Sequence, residues 1–216
     1  MPNRSGCVST KKGQVSDLSK TGNRVGKITR KTRETEISLA LQVDGFGQTN
    51  LKTGVPFLEH MLDSFAKHGK FDLFVEAKGD THIDDHHTVE DIAICLGKAL
   101  RDALGDKRGI RRYGNAFVPM DETLGQVIVD LSNRPHLEFR AEFPREKAGN
   151  FDTELVHEFF WKLALEARIT LHVILHYGQN THHMIEACFK ALGRALDEAV
   201  QADPRVQGIP SSKGVL

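Results

Sequence analysis

Two stretches decide the fold: Asp84-Asp-His-His-Thr-Val-Glu-Asp-Ile-Ala-Ile-Cys-Leu-Gly-Lys-Ala-Leu100 and Asn180-Thr-His-His-Met-Ile-Glu-Ala-Cys-Phe-Lys-Ala-Leu-Gly-Arg-Ala-Leu196. Each passes from a polar loop through a His-His pair, sets a glutamate four residues after the first imidazole, and runs on as an amphipathic helix. In the first and its continuation, Ile92, Leu96, Ala99 and Ala103 form one apolar stripe, the 3.6-residue period of a helix with one buried side. The spacing predicts helices over about 88–104 and 181–200. The segment Ile92–Ala103 corresponds to Cys188–Ala199, and repetition at matching places implies a duplicated unit.

The flanking sequence repeats in the same order. Ile37, Leu39, Leu41 and Val43 alternate with polar residues up to Asp44-Gly45, the pattern of a half-buried strand and a turn, and a short strand near 27–32 completes a hairpin. Pro56 opens a helix with Phe57, Met61, Leu62 and Phe65 on one side, and Gly69 ends it. A strand follows with Phe71, Leu73, Val75 and Ala77 inward. After Gly105-Asp106 come strands near 111–118, 125–131 and 136–143, a helix over about 153–167, and a strand over 169–176. The expected fold is α+β, two repeated units over 26–118 and 119–216, each a small β-sheet with two helices packed on one face. A doubly wound parallel sheet fits less well, because the strands come in hairpin groups instead of alternating strictly with helices.

Composition narrows the function classes. The 216 residues can bury a core without disulfide or metal staples, so a metal here serves chemistry more than folding. The 29 basic residues cancel the 29 acidic ones, which argues against nucleic acid or an acidic membrane as partner. Cys7, Cys95 and Cys188 are odd in number and far apart, which suits a reducing compartment and offers no thiolate zinc site. With no apolar run of bilayer length and no secretory signal core, a soluble cytoplasmic protein is expected. Residues 1–25, rich in Ser, Gly and Lys, read as a disordered extension.

The eleven histidines are the unusual count. On a helix, His86 shares a face with Glu90, and His182 with Glu186, so each pair can chelate a metal. His87 and His183 point about 100° away and must serve another metal, another half or another subunit. The simplest use of all of them is reciprocal: His182, Glu186 and His87 at one ion, His86, Glu90 and His183 at the other. The earlier helix of each half supplies further candidates, His60 in the first and, by alignment, Glu158 with His157 beside it in the second. Imidazole and carboxylate without thiolate favour Mn²⁺, Fe²⁺ or another six-coordinate ion, with Zn²⁺ left open by ligand type. Helix capping is the plainer role for one such cluster, but two copies at equivalent places favour metal. His136, His172 and His176 read as half-exposed strand residues.

Phe57-Leu-Glu-His-Met-Leu62, Asp84–Asp91, Pro119-Met-Asp-Glu122, Gly178–Ala187 with Phe189-Lys-Ala191, and Pro210-Ser-Ser-Lys-Gly214 together resemble the imidazoleglycerol-phosphate dehydratase family, from about residue 27 onward. The resemblance implies a carbon–oxygen lyase of histidine biosynthesis that removes water from imidazole glycerol phosphate to give imidazole acetol phosphate, with two Mn²⁺ per active site. Dehydration needs an electron sink, which the substrate's metal-bound imidazole can be. By the same resemblance Glu34 contacts substrate and serves as acid or base from a neighbouring subunit, and it is grouped with Glu90 and Glu186 as a catalytic carboxylate. Phosphate recognition falls to Arg112, Arg134, Lys190 and the Ser211-Ser212-Lys213 segment of a C-terminal substrate-binding tail. His60, His68, His86 and His182 line the substrate pocket. His157 or Glu158 completes the second metal set. The family forms shells of twenty-four subunits with shared sites, so a homo-oligomer is implied.

Two other classes compete. Another metal-dependent hydrolase or lyase, such as a zinc enzyme with an activated water, would need an open coordination position. A metal-assembled scaffold would lose assembly but not folding on chelation. An RNA-binding two-layer module is disfavoured by the neutral charge.

Overall fold

The computed structural model describes residues 24–216. The extension expected at 1–25 lies outside the described residues except for Arg24 and Val25. Arg24 is anchored: its guanidinium binds Asp44 at 2.6 and 3.0 Å and donates to the Val200 carbonyl at 2.7 Å.

The first unit contains β1 (Val25–Lys31), β2 (Thr35–Gln42), β3 (Thr49–Lys52), helix α1 (Pro56–Gly69), β4 (Asp72–Gly79) and α2 (His86–Leu104). Its four strands lie in the order β1-β2-β4-β3. The second contains β5 (Tyr113–Met120), β6 (Thr123–Asp130), β7 (His136–Arg140), the short β8 (Lys147–Ala148) and β9 (Phe151–Asp152), α3 (Glu154–Ala167), β10 (Thr170–Tyr177) and α4 (Thr181–Val200). Its main sheet runs β5-β6-β10-β7, the same topology. The β1–β2 hairpin matches β5–β6 from Val25 against Tyr113 to Gln42 against Asp130, with no residue inserted or lost.

Alternation along β6, every second residue of Thr123–Asp130 buried, gives its sheet one face toward the helices. α2 packs on β1 and β2, and α4 on β5 and β6. The helices then meet across the units, α2 with α3 and α1 with α4, and so lie between the two sheets. Phe159, Phe160 and Phe189 fill this layer with ring centroids 5.0 and 5.1 Å from Phe189. Burying each contributes about 1.5–3 kcal/mol over leaving it exposed.

Both interunit helix crossings depend on a glycine at an equivalent place. A Cβ on Gly193 would stand 2.4 Å from the Phe65 carbonyl oxygen of α1, and one on Gly97 would stand 2.9 Å from the Leu163 carbonyl oxygen of α3. The hydrogen side chain lets the backbones approach.

Three sequence expectations need correction. β3 was not anticipated; it is a short edge strand, parallel to β4, and Leu51 is its only apolar residue. The first long helix begins at His86, two residues before the expected 88, so its His-His pair sits in the first turn, as the second pair does in the helix that opens at Thr181 as expected. The second sheet opens at Tyr113, so a division at 118 cuts through β5, and the change of unit falls in 105–112. Among the described residues no helix is long and apolar enough to cross a membrane.

Candidate metal centre

The donors gather where helices of different units cross. His60 on α1 meets His182 and Glu186 on α4, and His86 and Glu90 on α2 meet Glu158 on α3; within each set the donor atoms lie within 4.8 Å of one another. The i,i+4 spacing supplies two donors of each set, and the helix packing against them supplies the third.

In the first set Glu186 is nearly buried, and its two oxygens are divided. Oε1 takes the Lys190 ammonium at 2.8 Å, while Oε2 faces His182 at 3.2 Å and His60 at 3.5 Å. Burial pushes this carboxyl up, but Lys190 and the two imidazoles outweigh it and hold the group below its ordinary range. The second set repeats the division. Glu90 Oε1 takes Lys162 at 2.9 Å, Oε2 faces His86 at 4.0 Å, and Lys162 also reaches Glu158 at 3.3 Å. The hydrogen bond to Glu90, reinforced by Glu158, raises the Lys162 pKa, so this ammonium stays charged. In both sets a lysine fixes the carboxylate and leaves one oxygen turned toward imidazole. Half-exposed imidazoles beside a fixed oxygen donor suit a divalent ion of the Mn²⁺, Fe²⁺ or Zn²⁺ kind.

His87 and His183 do not enter these sets. Each is turned about the helix from its neighbour, and each Nδ1 meets a carboxylate: His87 with Asp80 at 3.0 Å, His183 with Glu122 at 2.9 Å. Asp80 and Glu122 raise the pKa of their respective imidazoles. The reciprocal sets expected from sequence, with His87 beside His182 and His183 beside His86, are therefore not assembled within one chain. Asn180 caps α4 by accepting the backbone N–H groups of His182 at 3.0 Å and His183 at 3.5 Å, which fixes the first turn carrying both imidazoles.

Comparison with known proteins settles the kinship. The family model for imidazoleglycerol-phosphate dehydratase matches residues 53–196. The chain belongs to that family. The imidazoleglycerol-phosphate dehydratase of Geobacillus kaustophilus is 72% identical over 193 residues, covering 89% of this chain and 99% of the relative. That of Bacillus subtilis is 73% identical over 187 residues, covering 87% and 96%. The crystal structure of the Staphylococcus aureus dehydratase superposes with a TM-score of 0.75 at 44% identity, covering 82% of this chain and 99% of that one. The Pyrococcus furiosus enzyme, solved in complex with (S)-C348, gives 0.76 at 39% identity, covering 88% and 100%.

Of the remaining residues singled out for this family, Glu158 stands in the second donor set, whereas His157 faces the sheet, edge-on to Phe139 at 5.2 Å. His68 lies near Lys190 and Arg194, and burial together with those cations lowers its pKa. Glu34 sits exposed at the β1–β2 turn with its charge felt by His87. The phosphate candidates form two groups. Arg112 is nearly buried, grips Asp130 at 2.7 and 3.1 Å, and donates to the Pro210 carbonyl at 2.7 Å. Arg134 reaches the same Asp130 at 3.4 Å, and Ser211, Ser212 and Lys213 follow directly on Pro210. Lys190 instead packs on Met120 at the other end of β5, 3.4 Å from its sulfur. The length of that eight-residue strand, roughly 25 Å, separates the two groups within a chain. Sequence reasoning missed Lys162, Asp80 and the role of Glu122. The first follows Glu158 by four residues and could have been found from helical spacing, while the other two carry no local signal.

Proposed function

We propose that this chain dehydrates imidazole glycerol phosphate to imidazole acetol phosphate at a centre holding two Mn²⁺ ions, in a cytoplasmic homo-oligomer of twenty-four subunits. The observation that carries the metal reading is the divided carboxylate, in which Glu186 and Glu90 each give one oxygen to lysine and turn the other toward imidazole. His60, His182 and Glu186 hold one ion, and His86, Glu90 and Glu158 hold the other. The ions, when bound, supply Lewis acidity toward the substrate's imidazole, which makes a weakly acidic C–H and a poor leaving hydroxyl reactive without redox chemistry.

The chain's own groups do the rest. Lys190 and Lys162 keep the carboxylates from swinging away. Glu34, at an exposed hairpin tip, moves the proton. Arg112, Arg134 and the Ser211–Lys213 segment grip the phosphate, for which the forked guanidinium donors are suited. Two features favour sites completed between subunits. His87 and His183 turn away from their own sets, and the Arg112–Arg134 group stands a strand length from Lys190. Assembly is further favoured by large apolar side chains left in water: Tyr113 and Phe117 on the outer side of β5, with Phe46, Ile83 and Tyr177.

The test is chelation followed by addition of single metals, with dehydration assayed throughout. Turnover should vanish on stripping and return best with Mn²⁺. His86→Ala and His182→Ala should each abolish it in a folded chain. Full activity after stripping, or in both variants, rules the reading out.

A further inference from the structure

The gap-free match of the two hairpins gives each residue of one tip a counterpart in the other. Gly26 pairs with Gly114 in this frame, and both press on the matching carbonyls of α2 and α4, Ala99 and Ala195. In the same frame Glu34 corresponds to Glu122, and Thr35 to Thr123. The two glutamates behave differently. Glu122 is tied down: Oε1 accepts the backbone N–H groups of Asn180 at 2.9 Å and Gln179 at 3.2 Å and the Thr123 hydroxyl at 3.0 Å, while Oε2 meets His183 Nδ1 at 2.9 Å. These contacts, led by His183, hold its carboxyl far below the ordinary range. Glu34 is exposed, with its backbone N–H donated to the Thr32 hydroxyl.

The strands next door show why. Thr35 pairs with Gly79 of β4, while past the irregularity of β10 between Leu175 and Tyr177 Leu124 pairs with Tyr177, so Gly178, next to Thr123, is the counterpart of Gly79. Both units thus give the hairpin tip a glycine neighbour: a Cβ on Gly178 would meet the Thr123 hydroxyl at 2.6 Å and Met184 at 2.6 Å, and one on Gly79 would meet the Thr88 hydroxyl. The units differ in the next residue: Asp80 follows Gly79 and itself takes His87 Nδ1 at 3.0 Å, whereas Gln179 follows Gly178 and gives its backbone N–H to Glu122 at 3.2 Å.

We infer that Asp80 and Glu122 are the positioning carboxylates of His87 and His183, and that Asp80, by taking in the first unit the part Glu122 plays in the second, leaves Glu34 free to meet substrate. A carboxylate on Nδ1–H fixes the tautomer and the ring plane and turns Nε2 outward as the metal donor. The hairpin thus serves twice, as a brace for a metal ligand in one unit and as the bearer of a proton-transfer group in the other. This rests on the metal-dependent dehydratase reading above.

The experiment compares Asp80→Ala, Glu122→Ala, Glu122→Gln and Glu34→Gln in the full-length chain. Mn²⁺ binding is measured by calorimetry and by paramagnetic resonance of free Mn²⁺, folding by circular dichroism, and dehydration separately. Asp80→Ala and Glu122→Ala should each weaken Mn²⁺ about 10–100-fold. Glu122→Gln, which keeps an acceptor for Nδ1–H, should recover part of that loss, as a merely structural defect would not. Glu34→Gln should bind Mn²⁺ within about twofold of the parent and lose turnover. The inference is overturned if both alanine variants bind Mn²⁺ as the parent does, or if Glu34→Gln loses Mn²⁺ as Glu122→Ala does. It is also overturned if Glu122→Ala sheds one ion while dehydration continues, which would make Asp121, Glu122 and His183 an ion site of their own. A parent chain that binds no divalent ion defeats the dehydratase reading instead.

Discussion

Gly193→Ala tests whether the helix crossing sets the metal geometry. The new methyl would lie 2.4 Å from the Phe65 carbonyl oxygen and 2.9 Å from the Gly69 nitrogen, both backbone atoms of α1. Ordinary contact begins at 3.4 Å, so α1 must recede by 3.4 − 2.4, about 1 Å. Alanine favours the helix by about 1 kcal/mol, and overpacking against backbone costs about 3 kcal/mol, leaving a net loss of about 2 kcal/mol. His60 travels with α1. A shift of this size exceeds the roughly 0.2 Å tolerance of metal–ligand bonds, so the first ion should bind at least about tenfold more weakly. Urea unfolding of stripped protein gives the stability and calorimetric Mn²⁺ titration gives the binding. Gly97→Ala is the control: its contacts, Glu166 Cβ at 2.8 Å and the Ala167 nitrogen and Leu163 carbonyl oxygen at 2.9 Å, ask α3 to recede by 3.4 − 2.8, about 0.6 Å, so it should cost less and affect the second ion. If Gly193→Ala is as stable as the parent and binds both ions equally well, the argument from helix spacing is wrong.

Other outcomes follow from particular contacts. Lys107 is buried, its ammonium held by the Asn133 side chain at 2.7 Å and the Leu131 carbonyl at 3.3 Å, and burial pushes its pKa down to about 8. The unfolded amine keeps its proton up to about 10.5, so between those values the unfolded state binds more protons and stability rises with pH, by at most about 3 kcal/mol. Below pH 8 the penalty is fully present. Lys107→Met should lack this rise when unfolding is followed from pH 7 to 10. Arg112→Met leaves the partly buried Asp130 with only Arg134 at 3.4 Å and should cost about 2 kcal/mol; a loss under about 1 kcal/mol would contradict the pairing. Lys162→Met leaves Glu90 and Glu158 facing each other without a cation. Thermal melts should show the stripped variant below the parent, with a larger rise on adding Mn²⁺ than the parent shows.

The duplicated architecture was legible because buried faces impose periods, and Ile92–Ala103 and Cys188–Ala199 keep the same period through two units. β3 escaped because an edge strand needs little apolar content: only Leu51 faces the core side of Thr49–Lys52, and pairing with β4 does the rest. For the site, spacing along one helix gave His182 with Glu186 and His86 with Glu90. The third donors depend on which helix crosses which. The choice between His157 and Glu158 turns on a single residue's rotation about α3, which puts one toward Phe139 and the other toward α2. Asp80 and Glu122 were illegible for a similar reason, since both reach their imidazoles from turns outside the helices they brace.

Each donor set joins one helix from either unit: His60 with His182 and Glu186, and Glu158 with His86 and Glu90. An ion seated in either place is a removable staple between stretches far apart in the chain, and parting the halves then requires ejecting it. Loading should therefore slow unfolding and shield the protein from proteases, even in variants that turn over no substrate. The persistence of the folded chain in a cell becomes a function of metal supply, and starvation for the ion would deplete the protein as well as idle it.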